Sequence, residues 1–188
     1  METEAVARRV VHTLTPGFLV YYLLPDELLG IPKTFGLILV MVLTFLIDGI
    51  RIIRGWKVPG ARPYEKRRIS ATAWAGFGLM LAFLCFPQHF VVPVVFGMAW
   101  VDPLMGEVRK RKGVNPILIG APVYALIFAC TSVIFFPGSP LPLVIASTLI
   151  AAFSATLVEH YGPEWLDDDL SMITAPLLLL YPIGMAFG

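Results

Sequence analysis

Seven apolar runs follow one another along this chain, each bounded by polar, Pro or Gly residues. They are Val10–Leu24, Thr34–Ile53, Ile69–Phe86, Phe90–Met105, Ile117–Phe136, Leu141–Val158 and Leu170–Phe187. A membrane helix needs roughly 20 mostly apolar residues, within a range of about 17–25. The first and fourth runs are short and reach across a bilayer only if their helices extend into flanking polar residues or the bilayer thins locally. The runs are continuous rather than alternating, which argues against strands. Composition agrees: 57% of the 188 residues are apolar and only 14% charged, with a mean hydropathy of +0.80. A soluble domain carries about 45–50% apolar and about 25% charged residues. The expectation is an all-α transmembrane helical bundle of about seven helices, with residues 1–188 forming a single integral membrane domain.

The fourteen basic residues set an orientation. Arg8 and Arg9 precede the first run; Arg51, Arg54, Lys57, Arg62, Lys66, Arg67 and Arg68 flank the second connection; Arg109, Lys110, Arg111 and Lys112 form the fourth. In a seven-helix weave, all but Lys33 then fall on one side. The positive-inside rule makes that side cytoplasmic, which predicts a cytoplasmic N-terminus and a C-terminus on the opposite side. The segment Met1–Ala7 is too short and acidic for the basic region of a signal peptide, and the chain is expected to be mature from its start. Cys85 and Cys130 lie inside apolar runs and are expected to be small core residues. Small residues recur every fourth position at Ala121, Ala125 and Ala129 and at Ser147, Ala151 and Ala155. Such stripes predict close helix packing faces.

The same orientation gathers most carboxylates at the basic face: Asp48, Glu65, Asp102, Glu107, Glu159, Glu164 and Asp167 to Asp169, whereas Asp26 and Glu27 lie opposite. A mixed acidic and basic cluster suits a nucleotide, because carboxylates hold Mg²⁺ while Lys and Arg hold phosphate oxygens. Asp102 stands out within Ala99-Trp100-Val101-Asp102-Pro103-Leu104-Met105. If its helix continues to Arg109, it lies about 10 Å inside the charged end; if Pro103 and Gly106 end the helix, it lies at the interface. Glu159 closes the sixth run, where a carboxylate meets the negative end of the helix dipole and a metal or basic partner would relieve it. Asp167, Asp168 and Asp169 open the seventh, where one carboxylate suffices as a cap. Asp48 and Arg51, three apart, are placed to pair. His12 lies four residues after Arg8, on the same helical face. There is no Walker loop, Cys/His metal spacing or nucleophile elbow.

Taken in order, these segments resemble the dolichol kinase and phytol kinase family, membrane enzymes that phosphorylate a lipid alcohol from CTP or another nucleoside triphosphate. Arg8-Arg9-Val10-Val11-His12 resembles the family's opening basic pair and histidine, and Glu65-Lys66-Arg67-Arg68-Ile69-Ser70 resembles the basic start of a later helix. Asp102 with Gly113 resembles its Gly-Asp-Ala segment and following glycine-and-basic loop. Glu159 followed by Leu166-Asp167-Asp168-Asp169-Leu170-Ser171 resembles its closing Glu and Asp-Asp-Asn-Leu-Thr. The chain departs from that pattern at Val101, at Pro103-Leu104-Met105, at Arg109, at Val114-Asn115-Pro116 and at Asp169, where the family has Asn.

The resemblance implies phosphoryl transfer, with CTP as donor, Mg²⁺ as cofactor and a polyprenol-type or other long-chain alcohol as substrate; nucleic acid is not an expected partner. It assigns catalysis to Asp102, Glu159, Asp167 and Asp168, metal binding to Asp102, Glu159 and Asp168, and phosphate binding to Arg109, Lys110, Arg111, Lys112 and Gly113. Arg9, His12, Arg68 and Asp169 are supporting residues. Two other readings stand beside it: a related cytidylyltransferase making a CDP-lipid, and a non-catalytic membrane protein or transporter. A transporter should carry polar residues near the bilayer midplane, and these helix centres are nearly free of charge.

Overall fold

Described in a computed structural model are residues 9–56, 68–162 and 167–187. A helical turn over residues 9–14 runs directly into a 3-10 helix, Thr15–Leu23, and the two together form α1. Then come α2 (Lys33–Arg54), α3 (Ala71–Cys85), α4 (Gln88–Arg109), α5 (Pro116–Phe135), α6 (Leu141–Tyr161) and α7 (Asp168–Phe187). The expected all-α bundle is what forms, and all seven apolar runs become helices. The one strand pairing among the described residues is a two-residue hairpin between α1 and α2. Its β1 (Glu27–Leu28) pairs antiparallel with β2 (Ile31–Pro32). Its turn is tight enough to hold both Leu29 and Gly30 at positive φ.

Local signals explain the helix boundaries. The Ser70 hydroxyl accepts from the Ala73 amide and starts α3; the Asn115 side chain accepts from the Ile117 amide and starts α5, with Pro116 at its first position. Asp167 accepts from the Asp169 amide at the head of α7. Gly55, at φ 65°, closes α2 in the left-handed conformation.

α4 is the central strut. Phe90, Val91, Val94, Val95, Met98, Val101 and Met105 are all buried, facing α1, α5, α6 and α7. A helix enclosed on several sides has no reason to be amphipathic, which is why this one reads in sequence as a plain apolar run. Two glycine sites set its approach to α5. A Cβ on Gly97 would lie 2.5 Å from the Tyr124 ring, and one on Gly120 would lie 2.6 Å from the Met105 sulfur. Each helix thus offers a gap for a large side chain of the other. The predicted stripe Ser147, Ala151, Ala155 is buried on α6. The predicted α5 stripe is displaced: Ala121 is buried but Ala125 and Ala129 are only half-buried, and Gly120, Tyr124 and Phe128 carry the fully packed face. Cys85 and Cys130 are exposed on the bundle surface rather than in the core, because the apolar runs that hold them turn those positions outward.

α2, α4, α5 and α6 are each long and apolar enough to cross a membrane, which is compatible with an integral membrane protein. Large apolar side chains face outward along them, among them Ile47, Leu118, Leu126, Ile134 and Phe153, where hydrocarbon rather than water is the favourable solvent. The fourth run gains length at both ends, reaching 22 residues, or about 33 Å at 1.5 Å per residue. The first gains reach differently: a 3-10 segment rises about 2.0 Å per residue, so its 9 residues span about 18 Å.

Candidate functional site

α4 continues unbroken through Pro103 and Gly106 to Arg109, so Asp102 lies inside the helix. It is 6% exposed, two turns from the charged end. Opposite it, the first turn of α1 supplies His12 and the first turn of α7 supplies Asp169; both are buried. His12 Nε2 lies 3.0 Å from Asp102 Oδ2 and 3.5 Å from Asp169 Oδ1. One donor atom from each of the three residues falls within 4.8 Å of the others. Three elements far apart in sequence therefore place two carboxylates and an imidazole together between buried helix ends.

Phase explains which acid of the triplet turns inward. Successive helical residues are separated by about 100°. Asp167 is committed to the cap and Asp168 is half-buried, whereas Asp169 and Leu170 are buried on the side facing the bundle. The expected metal set is Asp102, Glu159 and Asp168; the donors that lie within 4.8 Å of one another are those of His12, Asp102 and Asp169, while Asp102 and Asp168 act on Glu159 through their charges.

Glu159 lies two residues from the end of α6, 5% exposed. Its Oε1 accepts from Arg109 at 2.6 Å, and the same guanidinium donates to the Glu159 carbonyl at 3.2 Å. Its Oε2 is buried without a hydrogen-bond partner among the described residues. The charges of Asp102 and Asp168 both reach it. Glu159 thus forms a second acidic group next to the first, bridged to the basic run by Arg109. Arg109 and Lys110 are the members of the run with ion-pair partners, Glu159 and Glu107; Arg111 and Lys112 are exposed, and Gly113 turns the chain at φ 80° toward α5.

Glu107, which the sequence did not single out, organises the rim. It pairs with Arg9 from α1 and accepts from Lys110 at 2.8 Å. Its position three residues before Lys110 was the available signal. Arg68 is not part of this site. Its carbonyl accepts from Arg51 at 2.6 Å, within a separate buried group in which Asp48 receives Arg51 Nε at 2.5 Å and the Ser70 amide at 2.7 Å. The Asp48–Arg51 pair expected from spacing is present, and it ties α2 to the start of α3. Arg8, Lys57, Arg62, Glu65, Lys66, Arg67, Glu164 and Leu166 lie outside the described residues.

The arrangement is a helical bundle with a buried carboxylate–imidazole group at one end and a cationic rim over it. Such a group can bind a divalent cation or hold a hydroxyl and accept its proton. No family model, curated protein or solved structure matches the chain.

Proposed function

We propose that this chain is a multi-pass membrane enzyme that transfers a phosphoryl group from a nucleoside triphosphate, CTP in the first instance, to a long-chain isoprenoid or other lipid alcohol. In this reading the His12–Asp102–Asp169 end faces the cytoplasm with the N-terminus, and the C-terminus lies on the opposite side. The observation that carries the reading is the convergence of Asp102, Asp169 and His12 at the same end of the bundle as Arg9, Arg109 and Lys110. Buried ionisable groups in an apolar bundle are costly, and a functional role is their default explanation.

The donor set fits Mg²⁺ through its oxygens. Mg²⁺ takes oxygen ligands at about 2.0–2.1 Å, and carboxylate oxygens of Asp102 and Asp169 lie within 4.8 Å of each other, close enough for small side-chain adjustments to bring both onto one ion. Imidazole is a poorer match for a hard cation, so His12 is assigned to the hydroxyl. Bound there, Mg²⁺ supplies positive charge to the donor phosphates. Arg109 and Lys110 hold phosphate oxygens from the rim. The alcohol oxygen attacks the terminal phosphorus, the bond to the β-phosphate oxygen breaks, and the nucleoside diphosphate leaves. The hydroxyl proton passes to the His12–carboxylate group.

Incubating the purified protein in detergent with labelled CTP or ATP, Mg²⁺ and a panel of lipid alcohols tests the proposal. A phospholipid and nucleoside diphosphate are the expected products. A CDP-lipid with pyrophosphate identifies a cytidylyltransferase instead, and no turnover with any pair sinks the enzymatic reading.

A further inference from the structure

The opposite end of the bundle holds a cleft. It has a volume of about 340 Å³ and is walled by His89, Phe136, Ser139 and Leu143, with Gly138 and Gly184 leaving it open. A much smaller space of about 10 Å³ shares His89, Ser139 and Leu143 with it and also borders Ser132 and Ser147; it has room for roughly one oxygen atom. Along α4, His89 is thirteen residues from Asp102, about 20 Å at 1.5 Å per residue. The two sites are therefore separate.

Three features define what this cleft can take. First, two long helices begin at it: His89 is in the first turn of α4, and Leu143 in the first turn of α6. Neither helix has a side-chain cap or an acidic residue in its first turn. Each helix N-terminus carries roughly half a positive charge and unsatisfied amides, so two uncompensated ends meet at one opening. Second, among the described residues no carboxylate lines either space; the polar groups are an imidazole and three serine hydroxyls. Third, Ser147 is 2% exposed and its hydroxyl has no hydrogen-bond partner among the described residues, although it borders the smaller space. A buried hydroxyl without a partner is costly, and a ligand oxygen in that space would satisfy it. The remaining walls are aromatic and aliphatic.

We propose that this cleft binds the phosphate headgroup of a lipid. The anion lies against the first turns of α4 and α6 with His89 and Ser139. An oxygen of the ligand's glycerol or ester region reaches Ser147, and the chains leave along Phe136 and Leu143. Helix N-termini are suited to phosphate, and a mostly apolar wall at the end of a bundle suits an amphiphile rather than a free anion.

The test is calorimetric titration of the full chain, in neutral detergent, with dihexanoyl phosphatidic acid, dihexanoylglycerol and inorganic phosphate. Saturable one-to-one binding of the phosphatidic acid is expected, at least tenfold tighter than either of the other two. Filling the mouth with Ser139→Trp or removing the imidazole with His89→Leu should weaken it at least tenfold. Ser147→Ala, which leaves packing intact, should weaken it about threefold. Equal binding of the neutral lipid overturns the anion site, and equal binding of inorganic phosphate overturns the lipid assignment. Wild-type affinity in folded Ser139→Trp and His89→Leu proteins places the ligand elsewhere. Because the three probes are compared on the unmodified protein, a variant that fails to fold does not decide the outcome.

Discussion

Asp102 is costly to bury and is held by groups that make no contribution to apolar packing: His12 at 3.0 Å and, beyond it, Asp169. Asp102→Asn keeps size and most hydrogen bonding but removes the charge. If Asp102 holds the cation that carries the donor phosphates, turnover should fall at least about a hundredfold, or roughly 2.7 kcal/mol of transition-state stabilisation, while the thermal unfolding midpoint stays near that of the parent. Full kinase activity in a well-folded Asp102→Asn protein would remove this residue from the site. Lys112→Gln should do less and act mainly by raising KM, since Lys112 is exposed and Arg109 and Lys110 are the members of the run anchored to Glu159 and Glu107. His12, Asp102 and the Asp triplet were legible in sequence because a charge or imidazole in an apolar run is a chemical outlier. Which acid of the triplet faces Asp102 was not, because adjacent residues differ by about 100° in direction and the phase of α7 is set by packing against α3 and α6. Glu107 falls among the carboxylates of the basic face, but its role was not legible for a related reason: its partner Arg9 is 98 residues away, and only the fold joins them.

Helices impose their own arithmetic. Gly97→Ala gains up to about 1 kcal/mol of intrinsic helix propensity, but the new methyl lies 2.5 Å from a fully buried Tyr124 ring. That ring also donates its hydroxyl to the Val94 carbonyl at 3.3 Å and has little room to retreat. Overpacking costs about 1–3 kcal/mol, so this variant should unfold at lower temperature. Gly36→Ala on α2, with nothing within 4 Å, should be neutral or slightly stabilising. Equal midpoints for the two would mean α4 and α5 are not so closely packed. The Asp48–Arg51 pair makes a second comparison. Both side chains are at least nine-tenths buried, and removing one leaves an uncompensated charge, at a cost of about 3–5 kcal/mol. Asp48→Ala should therefore destabilise more than the double change Asp48→Leu/Arg51→Met; the reverse order would mean solvent reaches the pair. Element positions were legible from the length of each apolar run, and the Asp48–Arg51 spacing correctly announced a pair. The 3-10 geometry of α1 and the true packing face of α5 were not, since every face of such a helix is apolar and periodicity carries no contrast.

At the scale of the whole molecule, charge is distributed by end rather than by element. The N-terminal turn of α1, the C-terminal ends of α4 and α6 and the N-terminal turn of α7 meet around His12, Asp102, Asp169 and Glu159. The same end of α4 leads into Arg109, Lys110, Arg111 and Lys112. The other end of α4 and the start of α6 open on a cleft with no carboxylate, Lys or Arg among the described residues of its lining. Basic residues close to membrane helices remain on the cytoplasmic side because moving them across during insertion is unfavourable. The basic end is therefore expected to be cytoplasmic, where nucleoside triphosphates would meet the carboxylate group directly. With seven crossings, Gly188 then emerges on the far side. Single cysteines placed at Arg111 and at Gly188 in a Cys85→Ser/Cys130→Ser background, probed with a membrane-impermeant maleimide on intact cells and on inverted vesicles, read both positions. Position 111 should label only in inverted vesicles and position 188 only in intact cells. Labelling of both from the cytoplasmic side would require an even number of crossings between positions 111 and 188, and one of α5, α6 and α7 would then lie within the interface rather than through it. The orientation of the α4–α6–α7 site would survive that outcome, because it rests on the basic run after Arg109 and not on the count.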